Sequence, residues 1–326
     1  MLIVADDLTG AADAAAAFAA VGHSTRVDLA PAGTDSEPNS RGELTDDIIA
    51  IDTHGRAMAE PDAFVATMNT VREHVDRRWF VKIDSTLRGH VRATVDAVLE
   101  ALPVKPARIV VCPAFPARGR TVIDGCVHVD GEALEAGSVR EVFAGFKAAS
   151  GLFIPTARTD DDIAAVVRAM DDDVLWVGSA GLARHVAERA RPATSVVVPR
   201  PTVANVAVVV GSQHGRTIEQ LAHLDGHTLV ERIDPRARNL RERLLPLLAE
   251  VDGLVLTGGY TARTVLDLLG LRSLRVGGEV EPGIAWSTAT WGGAQLAVVT
   301  KSGGFGDELS LRRAVDFLTQ SATVAP

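Results

Sequence analysis

The sequence predicts an α/β protein of two domains, each a mostly parallel sheet flanked by helices. Short apolar runs of strand length alternate with longer segments of helical composition, the pattern of strand–helix–strand units. Polar or glycine-rich motifs follow several of those runs directly, which is where open parallel sheets bind ligands. At 326 residues the chain also exceeds one typical domain.

Residues 1–5 read as a buried strand entering Asp6-Asp7-Leu8-Thr9-Gly10. Residues 11–20 have the composition of a tightly packed helix, stopped at Gly22. A second strand covers 27–29, and the Pro, Gly, Ser and Asp content of 31–45 predicts a loop. Strand 48–51 ends in Asp52-Thr53-His54-Gly55-Arg56. After a helix over 61–74, strand 80–83 enters Asp84-Ser85-Thr86-Leu87-Arg88-Gly89. Apolar positions at helical spacing mark 91–102, and strand 109–111 leads into Pro113-Ala114-Phe115-Pro116. Strand 174–177 runs into Gly178-Ser179-Ala180-Gly181 and a short helix. The proline-bearing stretch 191–201 then predicts a boundary, dividing the chain into 1–195 and 196–326. The second half restarts with strand 206–210 before Gly211-Ser212-Gln213-His214-Gly215. Strand 251–256 precedes Gly258-Gly259-Tyr260-Thr261, and strand 296–299 precedes Lys301-Ser302-Gly303-Gly304-Phe305-Gly306.

Composition excludes several classes. A hydrophobic content of 47% with 23% charged residues is that of a globular protein with real cores. The net charge of −9 argues against a nucleic-acid partner, which leaves a basic footprint. Two cysteines, Cys112 and Cys126, make neither a disulfide framework nor a metal spacing. With no basic start before an apolar run, and no apolar run of membrane length, the expectation is a cytoplasmic protein with no membrane partner. Oligomeric state stays open, a homo-oligomer included.

The two ends carry different chemistry. Glycine loops after strands let backbone N–H groups approach a ligand, and a helix starting there favours an anion, commonly phosphate. Ser212, the Gly258–Thr261 loop and Gly303 would converge on a polyphosphate if their strand ends face one crevice, with Lys301 beside them. No Gly-x-x-x-x-Gly-Lys-Ser/Thr or Gly-x-Gly-x-x-Gly pattern stands there. Near the N-terminus, Asp6 or Asp7 could take a proton from a substrate hydroxyl, while the other caps the following helix. Adjacent aspartates do not fit the Asp-x-Asp-x-Thr of a phosphatase. Arg56 and Arg88 carry guanidinium forks that match a carboxylate, as in a sugar acid, or make surface ion pairs. Asp84 either bonds substrate hydroxyls or fixes its loop. No metal ligand is assigned.

Ala5-Asp6-Asp7-Leu8-Thr9-Gly10-Ala11 with Asp13, and Lys82-Ile83-Asp84-Ser85-Thr86-Leu87-Arg88-Gly89, resemble motifs of the four-carbon acid sugar kinases. So do Pro113-Ala114-Phe115-Pro116 with Gly119-Arg120, Gly258-Gly259 with Thr261, Pro282-Gly283, and Lys301-Ser302-Gly303 with Phe305-Gly306. The match runs in order through nearly the whole chain. This resemblance implies an ATP-dependent kinase for D-threonate, D-erythronate or 3-oxo-tetronate-like acids. It implies an N-terminal sugar-acid domain and a C-terminal nucleotide domain, with the active site in the cleft between them. Mg²⁺ would accompany the ATP, and nucleotide contacts would fall on Ser212, on Gly258, Gly259, Tyr260 and Thr261, and on Gly303. Two departures stand out. The family has Asp or Glu where this chain has Tyr260, its only tyrosine, which carries no charge at neutral pH. The chain is also short, mainly between Ser212 and Gly258. Both support the competing expectation of a non-catalytic sugar-acid-binding sensor or partner subunit that kept the kinase fold.

Overall fold

The computed structural model describes residues 1–30, 46–75, 77–146, 151–226 and 228–320; the loop expected over 31–45 lies outside them. The first half runs β1 (Leu2–Ala5), α1 (Leu8–Ala20), β2 (Thr25–Leu29), β3 (Ile48–Asp52), α2 (Glu60–Arg72), β4 (Trp79–Lys82), α3 (Val91–Ala101) and β5 (Arg108–Cys112). Three short strands follow, β6 (Arg120–Ile123), β7 (Cys126–Val129) and β8 (Glu132–Ser138), then α4 (Val139–Val142), β9 (Gly151–Phe153), α5 (Asp160–Ala169), β10 (Val174–Gly178) and α6 (Ala180–Arg189). The second half runs β11 (Val206–Val210), α7 (Gly215–Leu221), β12 (Leu229–Arg232), α8 (Leu240–Leu248), β13 (Gly253–Thr257) and α9 (Gly259–Leu268). It closes with β14 (Ser273–Glu281), β15 (Ile284–Trp291), β16 (Ala294–Lys301) and α10 (Ser310–Thr319).

Strands β1, β3, β4 and β13 are buried along their whole length, because parallel strands with both faces covered need continuous apolar sequence. They belong to one mixed sheet of 13 strands, ordered β12-β11-β13-β16-β15-β14-β2-β3-β1-β4-β10-β5-β9. Its two ends are parallel, as the alternation of strands and helices predicts. The middle is an antiparallel ribbon, β14-β15-β16, and β14 pairs antiparallel with β2 through Ser273–Asp28, Leu274–Val27 and Arg275–Arg26. That pairing joins the two parallel sheets expected of separate domains into a continuous one. A separate antiparallel sheet, β6-β7-β8, follows the Phe115 loop. Helix α1 is buried on almost every side, and its run of alanines is what allows that, since each presents only a methyl group to its neighbours. Cys112 is fully buried in the same core and behaves as a small hydrophobe, burial pushing its thiol up to about 12.

Candidate active site

The loops after β1, β3 and β4 bring one network of charges together. Asp7 caps α1: its Oδ1 accepts from the Gly10 N–H at 2.8 Å, while Oδ2 accepts from Thr9 Oγ1 at 3.1 Å. Arg56, placed by a short helical turn after β3, grips Asp6 bidentately through Nε at 3.0 Å and Nη2 at 2.7 Å. Its remaining Nη1 donates to Asp7 Oδ2 at 2.9 Å and stands 3.6 Å from Asp84 Oδ2. Arg88 closes its own fork on Asp84, at 3.1 and 2.6 Å. Sequence reasoning placed Arg56, Arg88 and Asp84 around a substrate acid. The structure brings all three together with Asp6 and Asp7, but both guanidinium forks are already met by carboxylates. Arg88 is mostly solvent-exposed, with 60% of its side-chain surface accessible, and it does not line the cleft.

The charges respond to these contacts. Burial works to raise Asp84, but Arg88, Arg56 and Thr86 outweigh it and hold its carboxyl well below the usual range. Burial likewise opposes the charge on Arg56, and Asp7, Asp6 and Asp84 more than restore it. Asp6 is pushed up to about 6 by burial against the pull of Arg56.

The cleft beside this network is lined by Asp7, Thr9, Asp13, Lys82, Ser85 and Ser179 from the first half and by Gly283, Ser302 and Phe305 from the second. Its wall is built by both halves. Glu279 of β14 bonds Arg184, Glu281 bonds Arg118, and Phe305 packs edge-on against Phe115 at 6.1 Å. The guanidinium groups of Arg118 and Arg120 lie over the Phe305 ring at 5.5 and 5.6 Å. In the sequence Arg120 stands out through the Gly119-Arg120 motif of the family resemblance. Glu279, Glu281 and Arg184 gave no signal, because their partners lie on distant segments.

In the second half, the ends of β11, β13 and β16 do converge. A Cβ on Gly303 would run into Ser212 Oγ, and one on Gly211 would run into Thr261 Oγ1. Gly258 lies beside Ser212 and Thr261, and its N–H donates to the Lys301 carbonyl at 2.8 Å. Thr217 Oγ1 ties the cluster by donating to Gly303 O at 2.8 Å. Lys301, fully buried, gives its ammonium to the carbonyls of Ser302, Gly303 and Phe305 at 2.9, 3.3 and 3.0 Å. All three donors are spent on the loop, so Lys301 shapes the glycine turn and has no donor left for a phosphate. Tyr260 sits half-exposed on α9, its ring 5.5 Å from that of His54 and beneath the Arg236 guanidinium. A second cavity of about 360 Å³ opens beside Ser212, lined also by Gly211, Gln213, Arg232 and Asp234.

The two clusters meet at one point. Gly259, the first residue of α9, packs against Asp7 so closely that a Cβ there would stand 2.5 Å from Asp7 Oδ2 and 3.1 Å from Thr9 Oγ1. The free amides that begin α9 therefore open beside a carboxylate that also faces the cleft.

Residues 1–142 match the model of a sugar-binding N-terminal domain, and residues 235–311 that of a nucleotide-binding C-terminal domain. The chain is 30% identical to a D-threonate kinase of Cupriavidus necator, over 98% of each chain. A D-threonate kinase of Bordetella bronchiseptica is 29% identical over 98% of this chain and 97% of its own. A 3-oxo-tetronate kinase of Burkholderia multivorans is 25% identical over 98% and 95%. The chain belongs to the four-carbon acid sugar kinase family. The Cupriavidus alignment spans 421 positions against 326 residues here, so that relative carries insertions absent from this chain. Crystal structures from Salmonella typhimurium (TM-score 0.73, 19% identity, 96% and 98% of the chains) and Haemophilus influenzae (0.66, 19%, 97% and 99%) share the fold. No helix among the described residues is long and apolar enough to cross a membrane.

Proposed function

We propose that the protein phosphorylates a hydroxyl of a small, four-carbon sugar acid, with ATP as donor. The observation that carries this reading is the position of Asp7, between the cleft and the first amides of α9. The acid occupies the cleft, and the terminal phosphate lies over Gly259 and the Ser212–Gly303 turn. Ser212, Gly258, Gly259, Tyr260, Thr261 and Gly303 form the nucleotide side, and the cavity beside Ser212 takes the nucleoside. The substrate hydroxyl oxygen attacks the terminal phosphorus, the bond to the leaving ADP oxygen breaks, and Asp7 takes the hydroxyl proton. Asp6 serves through Arg56, which holds both aspartates in register. Asp84 orders the Arg56 and Arg88 loops around the acid. Positioning and electrostatics account for most of the catalysis of such transfers. In this reading residues 1–195 form the acid-binding unit and 196–326 the nucleotide unit.

Among the described residues no three carboxylate, imidazole or thiol groups converge on a metal position. A single carboxylate, Asp7, beside the phosphate loop fits Mg²⁺ carried in on the nucleotide, since that ion is commonly held by one or two carboxylates plus phosphate oxygens. When bound it would offset charge on the transferring group. The full-length kinase relatives weigh against a sensor that has lost catalysis. The test is ADP release with Mg-ATP across the four-carbon sugar acids, with glycerate as control. Turnover on one acid is the expected result. No turnover on any acid, together with no ATP binding by calorimetry, would replace the kinase with the sensor.

A further inference from the structure

Three buried donors stand behind the glycine turn that follows β16. Lys301, Thr217 and Gln220 are each fully buried. Thr217 and Gln220, three positions apart, share one face of α7. Lys301 Nζ donates to the carbonyls of Ser302, Gly303 and Phe305, and Thr217 Oγ1 donates to that of Gly303 as well. Gln220 Nε2 donates to the carbonyls of Phe305 and Asp307 at 3.1 and 2.6 Å. The peptide bonds are trans, so each N–H points away from the carbonyl of the residue before it. Drawing the Ser302 and Gly303 carbonyls inward therefore turns the Gly303 and Gly304 N–H groups outward. Neither of those N–H groups has an acceptor among the described residues, while the Phe305 N–H closes the turn on the Ser302 carbonyl at 3.1 Å. Ser302 and Phe305 line the cleft, and Gly303 and Gly304 pack against Ser212 and His214.

Neutral donors are enough to hold such carbonyls, as Thr217 and Gln220 show. Lys301 does it with a charge, although a buried charge without a counter-ion is costly. Three charged groups face it: Arg118 from the loop before β6, Arg216 from α7 and Glu281 from β14. Glu281 is already bonded by Arg118 and Arg313. The strand neighbours of Lys301, Thr257 of β13 and Ile284 of β15, carry no charge. An ammonium bonded to a carbonyl oxygen polarises that peptide group and strengthens the N–H on its far side as a donor.

We propose that Lys301, Thr217 and Gln220 are positioning residues that turn the Gly303 and Gly304 amides onto a nucleotide phosphate, and that Lys301 offsets the phosphate charge through those peptide groups without touching it. The proposal rests on the donor-side reading above and adds which side chains build the phosphate seat. Phosphate binding and protonation of Lys301 are then linked. Burial and Arg118 push its ammonium down to about 7, so at about pH 8 the neutral amine predominates, and a bound phosphate draws a proton onto it.

The test is calorimetry of ADP and of adenosine with wild type, Lys301→Met and Gln220→Met, in two buffers of different ionisation enthalpy at about pH 8. Wild type should take up a fraction of a proton with ADP and none with adenosine. Its ADP affinity should fall as pH rises above about 7. Lys301→Met should bind ADP roughly 10- to 100-fold more weakly, with the proton uptake lost and the pH profile flattened, and should bind adenosine as wild type does. Gln220→Met should weaken ADP about 3- to 10-fold and keep the proton uptake, because Lys301 is still present. Equal losses for ADP and adenosine would show a collapsed cavity and overturn the proposal. So would a Lys301→Met whose ADP affinity or proton uptake matches wild type, or a Gln220→Met with unaltered ADP affinity. A wild type that binds neither ADP nor adenosine removes the donor-side reading together with this one, whereas one that binds both, with ADP held equally well by Lys301→Met, removes this one alone.

Discussion

In the proposed reaction the acceptor and donor sides of the cleft are built from opposite materials. On the acceptor side, Asp6, Asp7, Arg56, Asp84 and Arg88 place long charged side chains in one bonded network. On the donor side, glycines and small hydroxyl residues converge, and the lysine present is turned inward onto loop carbonyls. One side works through charge, the other through backbone amides and free space. Isosteric changes that remove charge should therefore harm the first, and added methyl groups the second.

The sharpest break in this contrast is Asp7→Asn. Asparagine caps helices about as well as aspartate, so α1 should remain intact. Loss of the proposed proton acceptor should lower kcat about 10²- to 10⁴-fold, with little change in KM for the acid. Steady-state kinetics would decide this, and a kcat near wild type would move the base elsewhere. Next comes the joint between the halves. Arg263 of α9 is fully buried and donates to Asp52 at the end of β3 at 3.0 Å. Asp52 is itself wholly buried, and its other oxygen accepts from the His54 N–H. Arg263→Leu strands that carboxylate and should cost about 3–5 kcal/mol in urea unfolding. Partial recovery on adding Asp52→Asn would show that the stranded charge was the cause.

Gly259→Ala tests the donor side by space alone. Its methyl would press on Asp7 Oδ2, displacing the carboxylate or the start of α9, and should lower kcat on the order of 10²-fold. An alanine variant with full activity would mean that the two clusters do not meet during catalysis. The last test concerns Lys301. Burial, with Arg118 adding to it, pushes this ammonium down from 10.5 to about 7. Between those values the unfolded chain holds more protons than the folded one, so stability rises with pH there. Wild type should gain on Lys301→Met as pH climbs from about 7 towards 10.5, and a flat difference in Tm would refute the shift.

The parallel strands were legible because burial on both faces demands unbroken apolar runs, as in Val206–Val210 and Ile48–Asp52. The ribbon was not. Ser273–Glu281 alternates buried and exposed positions and carries two glycines and three charges, so it lacks the run that marks a buried strand. The sequence offers both Asp6 and Asp7 as caps of α1 and does not show that one carboxylate meets two sets of neighbours. Asp7 caps with Oδ1 and meets Arg56 and Gly259 with Oδ2. Likewise, the sequence shows that Arg56 has a fork but not that Asp6, 50 positions away, fills it.

By itself, then, the sequence determined the local matters: which segments are strands, where glycines turn the chain, and which loops carry acid, base and hydroxyl groups. Periodicity, helix capping and backbone freedom act over a few residues, and their traces are written in order. Only the tertiary structure decided which of those groups are spent on one another and which are left free. Arg56 and Arg88 are bonded to neighbours, Lys301 to its own loop, and Lys82 to one carbonyl. Pairing of charge depends on distance in space, and β14 laid against β2 sets that distance between the halves.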